Sequence, residues 1–157
     1  MTFRVGIGVD AHAFDEGVPL VLGGVAFDHP HGLAGHSDGD VLAHALVDAV
    51  LGAAGLGDIG SLFPSGDDRF RGADSLELLR EAYRQVREAG WALVNADCVL
   101  IGEEPRIAEH RDEMRSRLAG ALGGGDVNVR ATTTDGLGFT GRREGLAAQA
   151  VALLTRE

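Results

Sequence analysis

Apolar and polar positions change period along this chain, and each change marks an element. Residues 3–9, Phe-Arg-Val-Gly-Ile-Gly-Val, alternate loosely and predict a strand. Gly6 and Gly8 lower its propensity, so they point to close packing or a nearby ligand. Two short apolar runs, 19–22 and 25–27, flank Gly23-Gly24 and predict a hairpin or a pair of short strands. Residues 28–37, rich in His and Gly, read as a loop. From about Gly39 to Leu51 the chain is apolar nearly all round, which predicts a buried helix. Ser37 or Asp38 can cap it, and Ser37 with Asp40 approximates a capping box. Its polar members Asp40, His44 and Asp48 recur every four residues and fall on one stripe.

The second half alternates helix and strand. Residues 61–73 read as a loop, and Asp74, with Glu77 three residues on, opens a helix whose apolar face is Leu76, Leu79, Tyr83 and Val86. Gly90 ends it. Residues 91–101 predict a strand, 106–122 a charged amphipathic helix, 126–134 another strand, and the Ala- and Leu-rich 142–155 a closing helix. That order implies an α/β fold: one domain, residues 1–157, a sandwich of a mixed β-sheet with helices packed on one face.

Composition then narrows the function. The chain has 24 acidic residues against 14 basic ones, a formal charge of −10, and every basic residue is arginine. Duplex binding depends on Lys and Arg neutralising phosphates, so nucleic acid is not an expected partner. No run approaches the roughly 18 apolar residues of a membrane span. The single cysteine, Cys98, excludes an intramolecular disulfide framework, and its apolar strand predicts inert packing. The N-terminus leads directly into a strand, with no signal-peptide pattern, so the expected location is cytoplasmic.

Four segments could carry chemistry. If the first strand extends through Asp10-Ala11-His12, the residues at i and i+2 share a face, and a carboxylate and an imidazole converge. That donor pair suits a divalent metal. His44, in an otherwise apolar helix, is a candidate third ligand, and Asp48 one turn on could orient it. A core histidine bonded to backbone explains the same spacing. Gly35-His36-Ser37-Asp38-Gly39-Asp40 enters a helix N-terminus and could cradle phosphate, or simply be an N-capped loop. Leu56-Gly57-Asp58-Ile59-Gly60, running to Phe63-Pro64, is a binding loop or a glycine-rich turn. Thr132-Thr133-Thr134-Asp135, continuing to Arg142, could line a phosphate-plus-metal site or be a strand running into a turn. There is no Gly-x4-Gly-Lys-[Ser/Thr] loop and no Gly-x-Ser-x-Gly. Metal logic alone leaves a zinc phosphohydrolase and a non-catalytic binding module open.

Taken together and in this order, the four segments resemble the 2-C-methyl-D-erythritol 2,4-cyclodiphosphate synthase family along essentially the whole chain. The resemblance implies a homotrimer with active sites between subunits. It implies a zinc-dependent phosphorus–oxygen lyase of the non-mevalonate route to isoprenoids. The implied reaction converts 4-diphosphocytidyl-2-C-methyl-D-erythritol 2-phosphate to the cyclodiphosphate plus CMP. Zinc falls to Asp10, His12 and His44, and a second ion, magnesium or manganese, falls near Asp135. His36 and Thr133 take the catalytic, transition-state-stabilising role. Asp10, His12, His36 and Ile59 are implied in substrate binding, with Ser37, Asp58, Gly60 and the loop Phe63, Pro64, Ser65, Gly66 and Asp67 at the methylerythritol phosphate end. Gly102, Pro105 and Arg106, with Thr132, Thr133, Thr134 and Asp135, are implied at the cytidine diphosphate end; Phe139 and Arg142 complete the site.

Two departures from the family pattern stand out. Asp135 replaces a glutamate, one methylene longer, and Gly102-Glu103-Glu104-Pro105-Arg106 replaces Ala-Gln-x-Pro-Lys. Glu103 and Glu104 bring negative charge, which predicts weaker binding of the cytidine diphosphate end unless they point to solvent.

Overall fold

A computed structural model describes residues 1–157. Its centre is a five-stranded mixed sheet of order β4-β1-β7-β5-β6, built from β1 (Thr2–Glu16), β4 (His31–Leu33), β5 (Ala92–Ile101), β6 (Asp126–Thr132) and β7 (Gly145–Arg156). Only β5 and β6 pair in parallel. The short strands β2 (Leu20–Leu22) and β3 (Val25–Phe27) form the expected hairpin. Helix α1 (Val41–Ala54) is buried along nearly its whole length and lies on β1 and β7. Helix α3 (Ser75–Glu88) packs on α1, and α4 (Arg111–Ala121) packs on β6 and α3. Two single turns, α2 (Ile59–Leu62) and α5 (Gly138–Gly141), sit in the connecting loops.

The close approach of α1 to the sheet explains the strand glycines. A Cβ on Gly8 would fall 1.8 Å from the Ala45 carbonyl oxygen, and one on Gly6 2.1 Å from that of Ala49. Small residues of β7 (Ala148, Ala150 and Ala152) are buried beside them. The other face of β1 has no helix over it. Phe3, Val5, Ile7 and Val9 alternate with the glycines there and are exposed, as is Val151 of β7.

Four expectations need correction. The C-terminal segment is not a helix over 142–155; residues 145–156 form the central strand, between β1 and β5. Ala and Leu favour helix intrinsically, but Ala148, Ala150, Ala152 and Leu154 are buried while Gln149 and Val151 are exposed, which is a strand period. The first strand runs to Glu16 rather than stopping at Val9. The loop over 28–37 contains β4, paired with Phe14–Glu16. The charged helix begins at Arg111, not 106.

Capping also differs in detail. Asp40, rather than Ser37 or Asp38, is the N-cap of α1, and its side chain accepts from Ala43 N–H at 3.1 Å. The same carboxylate accepts from Gly23 N–H (2.9 Å) and Gly24 N–H (2.7 Å), so the β2–β3 turn hangs on the start of the helix. Complete burial pushes its carboxyl up to about 6. Asp74 caps α3 as expected, but Glu77 pairs with Arg80 and closes no capping box. Cys98 is buried in β5, and burial pushes its thiol up to about 12, as inert packing requires.

Candidate metal centre and its clefts

Strand alternation continues past the glycines. Asp10 and His12 follow Gly6 and Gly8 on the helix side of β1, where α1 presents His44. Asp10 Oδ2 lies 2.8 Å from His12 Nε2 and 3.1 Å from His44 Nδ1, and the two ring nitrogens are 3.2 Å apart. Three ligands of a tetrahedral zinc at about 2.0–2.1 Å lie about 3.3 Å from one another, so the triangle has nearly the right size.

The proton inventory supports the fit. His12 Nδ1 donates to the Ala34 carbonyl at 2.6 Å, which leaves Nε2 as a lone pair directed at Asp10. An oxygen and a nitrogen that both offer lone pairs at 2.8 Å repel unless a cation or a proton lies between them. The electrostatics register the same demand. Burial raises the Asp10 carboxyl, but hydrogen bonds and charge from His12 and His44 outweigh it and bring it to about 2. Asp10 pushes His12 upward, against burial.

The triangle opens onto a cleft of about 410 Å³. Among its lining residues are His36, Ser37, Ile59, Gly60, Phe63, Pro64, Ser65 and Gly66, all expected from the sequence, and Phe70 and Leu78, which were not. Phe70 packs edge-on against Phe63, with ring centroids 5.2 Å apart. His36 Nε2 donates to the Asp67 carbonyl at 3.0 Å, so the 63–67 loop holds that ring. The Asp67 carboxylate itself is taken by Arg69, which holds it below the usual carboxylate range. Asp58 caps α2 through Ser61 N–H (2.8 Å) and the Ser61 hydroxyl returns the bond, a local capping box. Asp48 does not orient His44; its Oδ1 accepts from Ile59 N–H at 2.7 Å and so fastens the 57–60 turn to α1.

A second cleft, about 350 Å³, is lined by Gly102, Glu103, Pro105, Arg106, Ala131, Thr132 and Thr133. Arg106 is exposed there and makes no ion pair. Thr133 and Asp135 are joined side chain to side chain at 3.1 Å, with Asp135 in the left-handed region at φ 53°. Thr134 donates to the Leu137 carbonyl, and Arg142 pairs with Glu144 at 2.7 Å. Phe139 lines a third recess beside Ala11 and His12. Glu103 does not project freely into the second cleft. Its Oε1 accepts from Thr134 N–H (3.3 Å) and Gly136 N–H (3.2 Å) and ties down the turn that carries Asp135. Glu104 lies 3.5 Å from His29 Nε2 and 3.8 Å from Arg143 Nε.

Within the chain the two main clefts share no lining residue. Ala11, Ala147, Ile101 and Thr132 form one row across four strands, which sets Thr132 about 14 Å from β1 at the usual strand spacing. Cross-strand partners share a face, so Thr132 lies on the helix-free side and Asp10 and His12 on the helix side.

Comparison with known proteins places this geometry. The model of the YgbB family matches residues 3–155. The chain is 61% identical over 159 residues to the 2-C-methyl-D-erythritol 2,4-cyclodiphosphate synthase of Rubrobacter xylanophilus, covering 98% of this chain and 96% of that one. To the enzyme of the same name from Moorella thermoacetica it is 58% identical, covering 96% and 94%. Its fold superposes on the bifunctional IspDF of Campylobacter jejuni with a TM-score of 0.94 and 46% identity, over 99% of this chain and 43% of that larger one. A 2C-methyl-D-erythritol-2,4-cyclodiphosphate synthase with CDP bound matches with a TM-score of 0.87 and 40% identity, over 97% of this chain and all of that one. No helix of the chain is long and apolar enough to cross a membrane. By fold and by whole-length similarity, this chain belongs to the YgbB family, that of the 2-C-methyl-D-erythritol 2,4-cyclodiphosphate synthases.

Proposed function

We propose that this chain is a zinc-dependent phosphorus–oxygen lyase that also uses magnesium or manganese. It converts 4-diphosphocytidyl-2-C-methyl-D-erythritol 2-phosphate to 2-C-methyl-D-erythritol 2,4-cyclodiphosphate and CMP. The observation that carries the reading is the triangle of Asp10, His12 and His44 facing a cleft walled by His36, Ser37 and the 59–66 segment. The relative with CDP bound supports a cytidine diphosphate substrate.

In the proposed reaction an oxygen of the 2-phosphate bonds to the β-phosphorus. The bond from that phosphorus to the bridging oxygen breaks, and CMP leaves with the oxygen. Such a step needs alignment and dispersal of charge more than covalent help. Zinc on the triangle, when bound, would supply Lewis-acid stabilisation of the phosphate charge. His36, held at its Nε2 by the Asp67 carbonyl, presents the rest of its ring to the cleft. Asp135, braced by Thr133 and by Glu103 beneath the turn, would hold the second ion. Arg106 offers an uncommitted positive charge at the second cleft.

The separation of the two clefts supports an active site shared between subunits. A substrate with a phosphate at one end and a cytidine at the other would use the metal cleft of one subunit and the Thr132–Asp135 cleft of a neighbour. The exposed Phe3, Val5, Ile7 and Val9 give the helix-free face a reason to be covered by further copies, as a homotrimer would do. The test is incubation of the zinc-loaded protein with the substrate and magnesium, following CMP. CMP with cyclic diphosphate is the expected result. Inorganic phosphate instead would make the protein a phosphohydrolase, and no turnover at all would leave a binding module.

A further inference from the structure

The far edge of the His44 ring meets the Ser75 hydroxyl and, through it, the Asp38 carboxylate. Ser75, first residue of α3, is completely buried, and its Oγ lies 2.8 Å from His44 Nε2. The same hydroxyl makes a short hydrogen bond to Asp38 Oδ1, and Ser75 N–H donates to Asp38 Oδ2 at 3.0 Å. Asp38 therefore grips one residue with both oxygens, and Oδ1 also accepts from Asp40 N–H.

Only one proton arrangement satisfies all of these contacts. A carboxylate can only accept, so the Ser75 hydroxyl proton goes to Asp38. The Ser75 oxygen then has only lone pairs left for His44, and Nε2 must carry the ring proton. That fixes Nδ1 as the bare nitrogen, aimed at Asp10 Oδ2 and His12 Nε2. The Ala34 carbonyl does the same for His12 by a single bond; for His44 the work takes two residues from two further segments.

We infer that Ser75 and Asp38 are positioning residues of the metal centre: the relay Asp38–Ser75–His44 sets the tautomer and ring plane of the His44 ligand. Ser37 Oγ also lies 2.9 Å from His44 Nε2, and 3.4 Å from Ser75 Oγ. Ser37 lines the cleft and makes no bond to Asp38, so its hydroxyl proton is free for a ligand there. The relay makes Ser75, not Ser37, the residue on which metal affinity depends. The inference rests on the reading of Asp10, His12 and His44 as a zinc site.

Zinc affinity, read by competition with a chromophoric chelator, tests it without any turnover. Loss of a partner that orients a ligand histidine costs about 10–100-fold in metal affinity. Ser75→Ala is expected to fall in that range, Ser75→Thr to recover most of it by restoring the hydroxyl, and Ser37→Ala to stay within about threefold of wild type. Wild-type affinity in a folded Ser75→Ala, or a loss confined to Ser37→Ala, would overturn the relay and leave the metal site standing. A wild-type protein that binds no zinc would overturn both. A variant that does not fold is replaced by a measurement on the zinc-loaded wild type: nitrogen NMR of the His44 ring should find a proton on Nε2 and the metal on Nδ1. The reverse pattern would sink the inference.

Discussion

Glu104 illustrates how far a charge count can mislead at the scale of one residue. A carboxylate beside a phosphate site should repel the substrate, yet this one lies near His29 and Arg143, and is partly exposed. Its field is already partly neutralised and screened. Glu104→Gln should therefore leave the KM for the cytidine diphosphate substrate within about twofold; a gain in affinity beyond that would restore the repulsion argument. His12 is the opposite case. Its Nε2 has no partner other than Asp10 and His44, so His12→Ala should cost more than tenfold in zinc affinity, measured by metal content after dialysis against a weak chelator. The candidate ligands were legible because strand alternation puts Asp10 and His12 on one face and a lone histidine stands out in an apolar helix. Their supports were not. Ala34 is 22 positions from His12 and Ser75 31 from His44, and no local pattern links residues so far apart.

At the scale of elements, the contact of α1 with β1 carries the site, because it brings His44 to the end of the glycine pair. Gly8→Ala would drive a methyl into the Ala45 carbonyl oxygen, which is backbone and cannot turn aside. Overpacking of this kind costs about 1–3 kcal/mol, and the upper end is expected here, read as a lowered denaturation midpoint in urea. A variant as stable as wild type would mean that the helix can lift off the sheet freely. The same contact explains why β7 is a strand despite its composition. Its alanines suit a helix by propensity, but here they keep the sheet surface low enough for α1 to lie on it. The sequence does alternate in Ala148-Gln149-Ala150-Val151-Ala152, but Ala and Leu content by itself predicts a helix. Helix α3 is readable because periodicity and cap agree there, and α1 because its apolar run is long and nearly unbroken, although its cap is Asp40 rather than Ser37 or Asp38. β4 has only three residues and is defined by its partner in β1, so its own sequence holds little signal.

At the scale of the whole molecule, the helix-free face grades from apolar to polar across the sheet. β1 shows Phe3, Val5, Ile7 and Val9, whereas β5 and β6 show Asp97, with Asn128 and Arg130 both donating to its carboxylate. In the proposed homotrimer the apolar half would be covered by other copies, and a charge placed there should prevent it. Ile7→Asp should yield a smaller species than wild type by light scattering, with a folded circular dichroism spectrum; an unchanged mass would mean that this face is not the interface. The acidic surplus places no demand on this contact, since the stripe itself carries no charge. β1 writes two messages in alternate letters: odd positions from 3 to 9 form the exposed apolar stripe, and even positions from 6 to 12 face the helix and the candidate metal site. Heredity therefore treats this strand as a text read in pairs. Loss of one codon between Gly6 and Asp10 would exchange the two faces beyond the break and spoil ligand placement, whereas loss of two would keep each letter on its own side. Gene lineages that carry this strand should tolerate length changes in its flanking loops and almost none within it.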